Sequence, residues 1–184
     1  MLDSLPPARR TLGVLAAAFA ATLTLTAAPA GANPVPNRDY AYEIRPMHTS
    51  GKCLEIGDWR TDNAAPARLW DCTGQPNQQW RMVLDPTYGP RYAIRNVHSG
   101  KCLQIGNLAR INGAQVNQWD CNGSPNQRWS RTDRNPDLIV GERFNGGPAL
   151  CLDVTDWQTH NGAGVQIWDC RPAANQTWVW NIKL

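Results

Sequence analysis

One spacing of 49 residues recurs three times in this chain and constrains its fold more than any other feature. Two series of cysteines and one of Gln-x-Trp triplets keep it: Cys53, Cys102 and Cys151, then Cys72, Cys121 and Cys170, then Gln78 to Trp80, Gln127 to Trp129 and Gln176 to Trp178. A fixed period of this length indicates structural repeats. We place the three repeats at about residues 42–82, 92–131 and 138–180.

Each repeat has the pattern of short strands separated by turns. Residues 165–170 alternate between two classes of side chain, as a strand with two different faces does. Glycine-containing runs such as INGAQ and HNGAG interrupt the alternation and indicate turns. No window carries an apolar stripe with helical spacing over three turns. Because one such unit is too small to bury its apolar face alone, we predict an all-β fold in which three repeats share one core around a pseudo-threefold axis, a β-trefoil.

The first 32 residues have the features of a secretory signal peptide. Arg9 and Arg10 precede an apolar run of about 18 residues, and Ala30 and Ala32 occupy the small-residue positions of a cleavage site. The run is also long enough to span a membrane, but no cationic stop-transfer segment follows it. We therefore predict cleavage after Ala32 and a secreted, extracellular protein without a membrane anchor.

The predicted mature chain, residues 33–184, is the size of one domain. We divide it into a short linker at 33–40 and a trefoil domain at 41–184. Removing the three charged residues of the signal changes the formal net charge from +3 to +2, with no block of basic residues. Such a surface does not favour binding to nucleic acid or to anionic lipid.

The six cysteines are expected to form disulfides, because the chain is predicted to be exported. Of the fifteen possible connectivities, one treats the three repeats alike and pairs cysteines locally. It joins Cys53 to Cys72, Cys102 to Cys121, and Cys151 to Cys170. A zinc site needs closely spaced ligands, and these pairs are too widely spaced, so we predict no metal and no other cofactor.

The Gln-x-Trp triplets, the C-L-x-(I/V) openings and the x-x-W-D-C closings resemble the repeats of ricin-type β-trefoil lectins. The resemblance covers the whole predicted mature chain. It implies a non-catalytic domain that binds carbohydrate, with galactose and xylose polymers both precedented. It also implies that the indoles of Trp80, Trp129 and Trp178 pack in the shared core, where we expect Trp180 to join them.

A second series of tryptophans, Trp70, Trp119 and Trp168, is predicted to face a ligand. In the strand alternation Trp168 shares its face with Gln166, whereas Val165 and Ile167 lie on the opposite face. An exposed indole beside hydrogen-bonding groups suits a sugar, because the ring stacks on the apolar C–H face. The alternative is that these indoles fill the core. Trp157 is left between two roles, a cap on the disulfide or a wall of the pocket.

The third repeat matches the ricin-type binding pattern throughout. The resemblance assigns carbohydrate binding to Asp153, Gln166, Trp168, Asn175 and Gln176. A carboxylate suits the first of these positions because it accepts several strong hydrogen bonds from paired hydroxyls. The alternative role for Asp153 is to organise the turn near Asp156.

The other two repeats depart from the pattern. The first has Glu55, Arg68, Trp70 and Asn77, which keeps a carboxylate but adds a guanidinium that could pair with it, so we treat it as a possible second site. The second has Gln104, Asn117, Trp119 and Asn126. Because it lacks the carboxylate, we treat it as degenerate.

Catalysis is not expected from this sequence. Glycoside hydrolysis requires two carboxylates on either side of one bond. Asp169 lies on the wrong face to join Asp153, and its repetition as Asp71 and Asp120 indicates a structural role. We predict a monomer that binds carbohydrate. The rival hypothesis is a protein-binding trefoil, an inhibitor or toxin-like component that uses surface loops, and the degenerate second repeat favours it.

Overall fold

The computed structural model describes residues 40–85, 91–131, 137–142 and 147–183. Within these ranges the chain forms twelve strands and no α-helix. The strands are β1 (Ala41–Pro46), β2 (Lys52–Ile56), β3 (Ala67–Asp71), β4 (Gln79–Asp85), β5 (Arg91–Asn96), β6 (Cys102–Ile105), β7 (Ala114–Trp119), β8 (Trp129–Arg131), β9 (Ile139–Gly141), β10 (Leu150–Val154), β11 (Val165–Asp169) and β12 (Trp178–Lys183). Four strands fall in each repeat, and we call residues 41–85 lobe 1, 91–131 lobe 2 and 137–183 lobe 3. The predicted signal peptide, residues 1–32, and residues 33–39 of the predicted linker lie outside the described residues.

Six strands form a closed barrel. β1 pairs with β12 and β4, β4 with β5, β5 with β8, and β8 with β9, all antiparallel. A bridge between Leu138 and Thr177 closes the ring, and the backbone N–H of Trp178 donates to the carbonyl of Asp137 at 2.9 Å. The other six strands form three hairpins, β2–β3, β6–β7 and β10–β11, one in each lobe. This arrangement confirms the predicted all-β trefoil.

The tryptophans of the three Gln-x-Trp triplets are in the shared core, as predicted. Trp80, Trp129 and Trp178 are at most 1% exposed. Their indole N–H groups donate to backbone carbonyls at 2.9 Å in all three lobes, those of Leu54, Leu103 and Leu152. A buried indole needs such a partner, so each triplet ties its barrel strand to the hairpin of its own lobe. Trp180 is also buried and packs edge-on against Tyr42, with ring centroids 5.8 Å apart.

The three disulfides have the predicted connectivity. Cys53 is bonded to Cys72, Cys102 to Cys121, and Cys151 to Cys170. Each bond connects the first strand of a hairpin with the residue just after the second strand or one beyond it. The disulfide therefore fixes the base of the hairpin that carries the predicted binding residues of that lobe.

Neighbouring lobes are joined by three equivalent side-chain clamps. The pairs are Asn63 with Asp120, Asn112 with Asp169, and Asn161 with Asp71. In each, the asparagine Nδ2 donates to the carboxylate at 2.8–3.0 Å and the aspartate N–H donates to the asparagine Oδ1 at 2.8–2.9 Å. Hydrogen bonds from Lys52 and the asparagine lower the pKa of Asp71, and Lys101 and its asparagine do the same for Asp120. The structural role predicted for these aspartates is confirmed.

The hairpins also depend on a left-handed residue in the turn before their second strand. Gly113 and Gly162 supply it in lobes 2 and 3, with φ of 87° and 88°. The equivalent residue of lobe 1 is Ala64, with φ of 67°. A β-carbon is strained in this region, so lobe 1 keeps the shared turn at an energetic cost.

Glu43 lies on β1 close to the seam with β12. Glu43 is 1% exposed, and its carboxylate forms ion pairs with Arg45 at 2.5 Å and Lys183 at 3.0 Å. Burial acts to raise the pKa of Glu43, but hydrogen bonds from the two cations outweigh it, so the pKa is lowered. The pairing of the first and last strands is thus reinforced by an ionised carboxylate.

Candidate functional site

The carboxylate of Asp153 lies at the centre of the lobe 3 site. Asp153 on β10 is directly opposite Gln166 on β11, and the Gln166 amide donates to its Oδ1 at 2.9 Å. Asn175 and Gln176 donate to Oδ2 at 2.8 and 3.0 Å. These partners are pocket amides, and none belongs to the turn at Asp156. An ionised carboxylate has about four lone-pair positions, so roughly one acceptor position is left for a ligand.

The supporting amides are themselves fixed. Asn175 also donates to the carbonyl of Val154, and Gln176 donates to the carbonyl of Asp169 while its Oε1 accepts the N–H of Arg171. Gln176 is only 2% exposed. Its position and its partners make it a residue that holds Asp153 in place, and the same connections recur for Gln78 and Gln127 in the other lobes.

An open cavity of about 240 Å³ lies in front of this network. Asp153 and the half-buried ring of Trp168 both face it, while Val165 and Ile167 of the same strand are fully buried in the core. The alternation predicted for β11 is therefore observed, and Trp168 is not a core filler. The cavity is lined by Asp153, Asp156, Trp157, Gln166, Trp168, Arg171, Ala173, Asn175 and Gln176. All five residues assigned to lobe 3 from the sequence are brought together here.

Lobe 1 forms a cavity of similar size, about 250 Å³, but the ring of Trp70 in this cavity is covered by Arg68. Glu55 accepts hydrogen bonds from Asn77 at 3.3 Å and Gln78 at 3.0 Å, as Asp153 does from their counterparts. Arg68 donates to Glu55 at 3.0 Å, so the predicted pairing is present. Its guanidinium also lies over the ring of Trp70, 4.4 Å from the centroid. The ring face that is open in lobe 3 therefore carries a cation in lobe 1.

A second carboxylate holds Arg68 in this position. Arg68 donates to Asp58 at 2.8 Å in addition to Glu55. Burial opposes the charge of Arg68, but its hydrogen bonds to the two carboxylates outweigh it, and the pKa of Arg68 is raised. The guanidinium thus stays charged and paired within the pocket.

Lobe 2 keeps the network but not the charge. Gln104 takes the place of the carboxylate, and its Oε1 accepts hydrogen bonds from Asn126 at 3.1 Å and Gln127 at 3.4 Å. Its Nε2 donates to Asn117 at 3.0 Å, the reverse of the direction in lobe 3. Trp119 is 38% exposed. This lobe presents neutral amides where the other two present a carboxylate.

The sequence left the role of Trp157 open, and the structure places it in the wall of the lobe 3 cavity, 54% exposed. It ends a short 3₁₀ turn, Thr155–Trp157, in which Asp156 and Trp157 have φ of 49° and 57°. Trp59 in lobe 1 and Leu108 in lobe 2 end the same turn with the same left-handed backbone. None of these residues is glycine, and the weaker signal is the Asp or Asn before each of them, since these two types favour the left-handed region. The direction of the Trp157 side chain could not be predicted from it.

The sequence also gave no role to the two histidines that contact these tryptophans. His48 of lobe 1 packs edge-on against Trp157, with ring centroids 5.9 Å apart, and its Nε2 is 3.0 Å from the carbonyl of Gln158. His98 packs against Trp59 in the same way, with centroids 4.9 Å apart. The sequence does show that both histidines lie just before a Ser-Gly-Lys-Cys run. His98 precedes the run directly, and His48 is separated from it by Thr49.

The described part of the chain contains one close group of potential metal ligands and no membrane-spanning helix. The residues grouped closely enough to hold a metal ion are Glu43, Cys53 and Cys72, but both sulfurs are bonded to each other and are not thiolate ligands. No helix in the described ranges has the length and apolar character needed to cross a membrane.

Comparisons with known proteins agree with this geometry. The profile described as "Ricin-type beta-trefoil lectin domain" matches residues 90–183, and that described as "Ricin-type beta-trefoil lectin domain-like" matches residues 32–107. A comparison with curated proteins gave no match. The designed threefold-symmetric protein ThreeFoil is 30% identical, with a TM-score of 0.68, and the similarity covers 78% of this chain and 99% of ThreeFoil.

Two natural proteins extend the comparison. An exo-β-1,3-galactanase from Clostridium thermocellum is 28% identical with a TM-score of 0.70, over 81% of this chain but only 31% of the galactanase, so this chain spans about a third of that enzyme. The C-half of an earthworm R-type lectin, solved in complex with GalNAc, is 17% identical with a TM-score of 0.58, over 78% of this chain and 99% of the lectin, and shares the fold. Three equivalent lobes, their Gln-x-Trp cores and the matching profiles lead to one assignment. The chain belongs to the family of ricin-type β-trefoil lectin domains.

Proposed function

We propose that this protein is a secreted, monomeric lectin that binds galactose- or xylose-type glycans in lobe 3 without changing them chemically. The observation that carries the proposal is the pairing, in one open cavity, of a half-exposed indole with a carboxylate held by three amide donors. A sugar needs both surfaces, because its C–H face is apolar while its hydroxyls require fixed acceptors and donors.

The fixed geometry of Asp153 supports the proposal further. Its amide partners leave it little freedom to rotate, so the vacant acceptor position has a defined direction before the ligand arrives. Preorganisation of this kind reduces the entropy lost on binding. Single pockets of this shallow type are expected to bind weakly, and attachment to a polymer gains from any second lobe that is occupied at the same time.

The decisive experiment is a glycan array followed by calorimetric titration of the best ligand. Trp168→Ala and Asp153→Asn are expected to abolish binding by lobe 3, whereas the matched variant Trp119→Ala in lobe 2 is expected to bind like the parent. Parent-like binding by both lobe 3 variants would show that the assigned site is wrong.

Binding without turnover is tested separately. The parent is incubated with labelled galactan and xylan, and new reducing ends are measured. We expect none, since the lobe 3 carboxylate is committed to amide donors and acts as an acceptor for hydroxyls. Release of reducing ends that disappears in Asp153→Asn would identify the protein as an enzyme.

A protein-binding function is the second candidate, because lobe 2 exposes three large apolar side chains and has no carboxylate at the position of Asp153. Leu108 is 58% exposed, Ile111 69% and Trp119 38%. Capture of a partner from culture medium that persists in excess free sugar would favour this candidate, while release by the sugar would favour the lectin.

A further inference from the structure

We propose that Trp157 forms a second sugar subsite beside Trp168, so that lobe 3 binds two consecutive residues of a glycan chain. This inference rests on the function proposed above and specifies its ligand. Both indoles line the same cavity, and Trp157 is 54% exposed to solvent. A second indole offers a second apolar face to a neighbouring sugar residue.

The fold does not require an aromatic residue at this position. The left-handed turn that directs residue 157 outward is the same in all three lobes, yet lobe 2 fills the position with Leu108, which is similarly exposed. The backbone therefore determines where the side chain points but does not determine which side chain it is. Ligand binding explains a tryptophan here, because its indole faces outward into a cavity.

The indole is also held in place from another lobe. His48 lies edge-on to Trp157 and is fixed by the contact of its Nε2 with the Gln158 carbonyl at 3.0 Å. The residues joined by this contact are 110 positions apart in the chain, so the subsite is assembled across the boundary between lobe 3 and lobe 1. A ring braced in this way loses less freedom when a ligand stacks on it.

The same set of residues varies together between lobes. Lobe 1 has a carboxylate in its pocket and Trp59 in the wall, and His98 of lobe 2 packs against that tryptophan. Lobe 2 has Gln104 instead of the carboxylate and Leu108 at the position of Trp157. The residue of lobe 3 that corresponds to the histidine is Gly147, which precedes Cys151 by four residues as His98 precedes Cys102. Wall, brace and carboxylate are present together or absent together. Their joint absence from one of three lobes with the same fold supports a shared role in binding, which in lobe 1 is obstructed by Arg68 over Trp70.

The test compares a monosaccharide with a chain. D-galactose and D-xylose are titrated calorimetrically against the parent, alongside linear β-1,3-galactotetraose and β-1,4-xylotetraose. Trp157→Ala and Trp157→Leu, which copies lobe 2, are expected to weaken tetrasaccharide binding about tenfold, equivalent to about 1.4 kcal/mol. Monosaccharide binding is expected to change less than about twofold, because that sugar sits on Trp168. The matched variant Leu108→Ala should change neither.

His48 is tested as a positioning residue by a double-mutant cycle. His48→Ala should weaken only the tetrasaccharide, and adding it to Trp157→Ala should cause no further loss, since its effect passes through the indole. Additive losses of affinity in the double variant would show that His48 does not act through Trp157.

The outcomes separate the two proposals. If the parent binds neither sugar series, or if Trp168→Ala leaves binding intact, the proposed function fails and the subsite with it. If Trp168→Ala abolishes binding but Trp157→Ala lowers both ligands equally, or lowers neither, only the second subsite is refuted.

Discussion

Arg68 is expected to keep lobe 1 from binding a sugar as lobe 3 does, and replacing it should activate that lobe. The guanidinium occupies the Trp70 face, 4.4 Å from the ring centroid, where a sugar would stack. The substitution Arg68→Gln introduces the residue that lobe 3 has at this position. The new amide can donate to Glu55 as Gln166 does to Asp153, so the carboxylate keeps a partner.

The size of the effect follows from the contacts that a sugar must displace. A cation–π contact is worth about 0.5–2 kcal/mol, depending on how far it is desolvated. The pair with Asp58 adds little, because the Asp58 side chain is 72% exposed and surface pairs contribute at most about 1 kcal/mol. Taking about 2 kcal/mol for moving Arg68 off the ring, lobe 1 binds roughly 30-fold more weakly than its pocket would allow.

The assay needs a background in which lobe 3 is silent. In Trp168→Ala, the added substitution Arg68→Gln is expected to tighten binding of the array-selected glycan roughly 30-fold by calorimetry. In otherwise unchanged protein, the same substitution should raise the stoichiometry from one site to two. Asn117→Gln, the matched change in lobe 2, should produce no binding, because that lobe has no carboxylate.

A folded double variant that binds no better than Trp168→Ala alone would show that Arg68 does not block lobe 1. Far-ultraviolet circular dichroism and a cooperative unfolding transition establish that the variant is folded. In that case, the covering guanidinium would not be what separates lobe 1 from lobe 3.

Three further predictions concern stability. Replacing both Cys151 and Cys170 by alanine should lower the free energy of unfolding by about 3 kcal/mol, from the entropy of a loop closed across a separation of 19 residues, as measured by denaturant titration under non-reducing conditions. Glu43 has a lowered pKa in the folded state, so its contribution to the free energy of unfolding is present above its ordinary pKa of about 4.3 and is lost as the pH falls through the folded value. Glu43→Gln should therefore be less stable than the parent at neutral pH and lose less stability on acidification. An identical dependence of stability on pH in the two proteins would exclude this account. Ala64→Gly should raise the free energy of unfolding by about 0.5–1 kcal/mol, since relief of left-handed strain exceeds the entropy cost of glycine, and thermal unfolding showing a lower midpoint would contradict it.

The parts of the site that could be predicted from the sequence are those governed by local periodicity. A strand alternates its faces residue by residue, so the aliphatic Val165 and Ile167 place Trp168 on the other side without knowledge of the tertiary structure. Because of the 49-residue period, the disulfide pairing and the core indoles predicted for one lobe also apply to the other two.

The parts that could not be predicted depend on unusual backbone or on distant contacts. Asp156 gives a weak signal for a left-handed conformation, because Asp and Asn adopt it more often than most residues other than glycine, but nothing marks Trp157. The pairing of Arg68 with Glu55 was expected, but its position over Trp70 depends on a third group, Asp58. The contact of His48 with Trp157 joins the two ends of the domain, and no spacing within a repeat reveals it.

The antiparallel pairing of β1 with β12 has a consequence for the order of the repeats. Because Ala41 lies opposite Lys183, the two ends of the domain meet, and the three lobes form a cycle in which none is first or last. A circularly permuted gene that starts with the second repeat and ends with the first would encode the same closed ring. In such a permutant His48 and Trp157 would be separated in sequence by about one repeat instead of two, while their contact in space stayed the same.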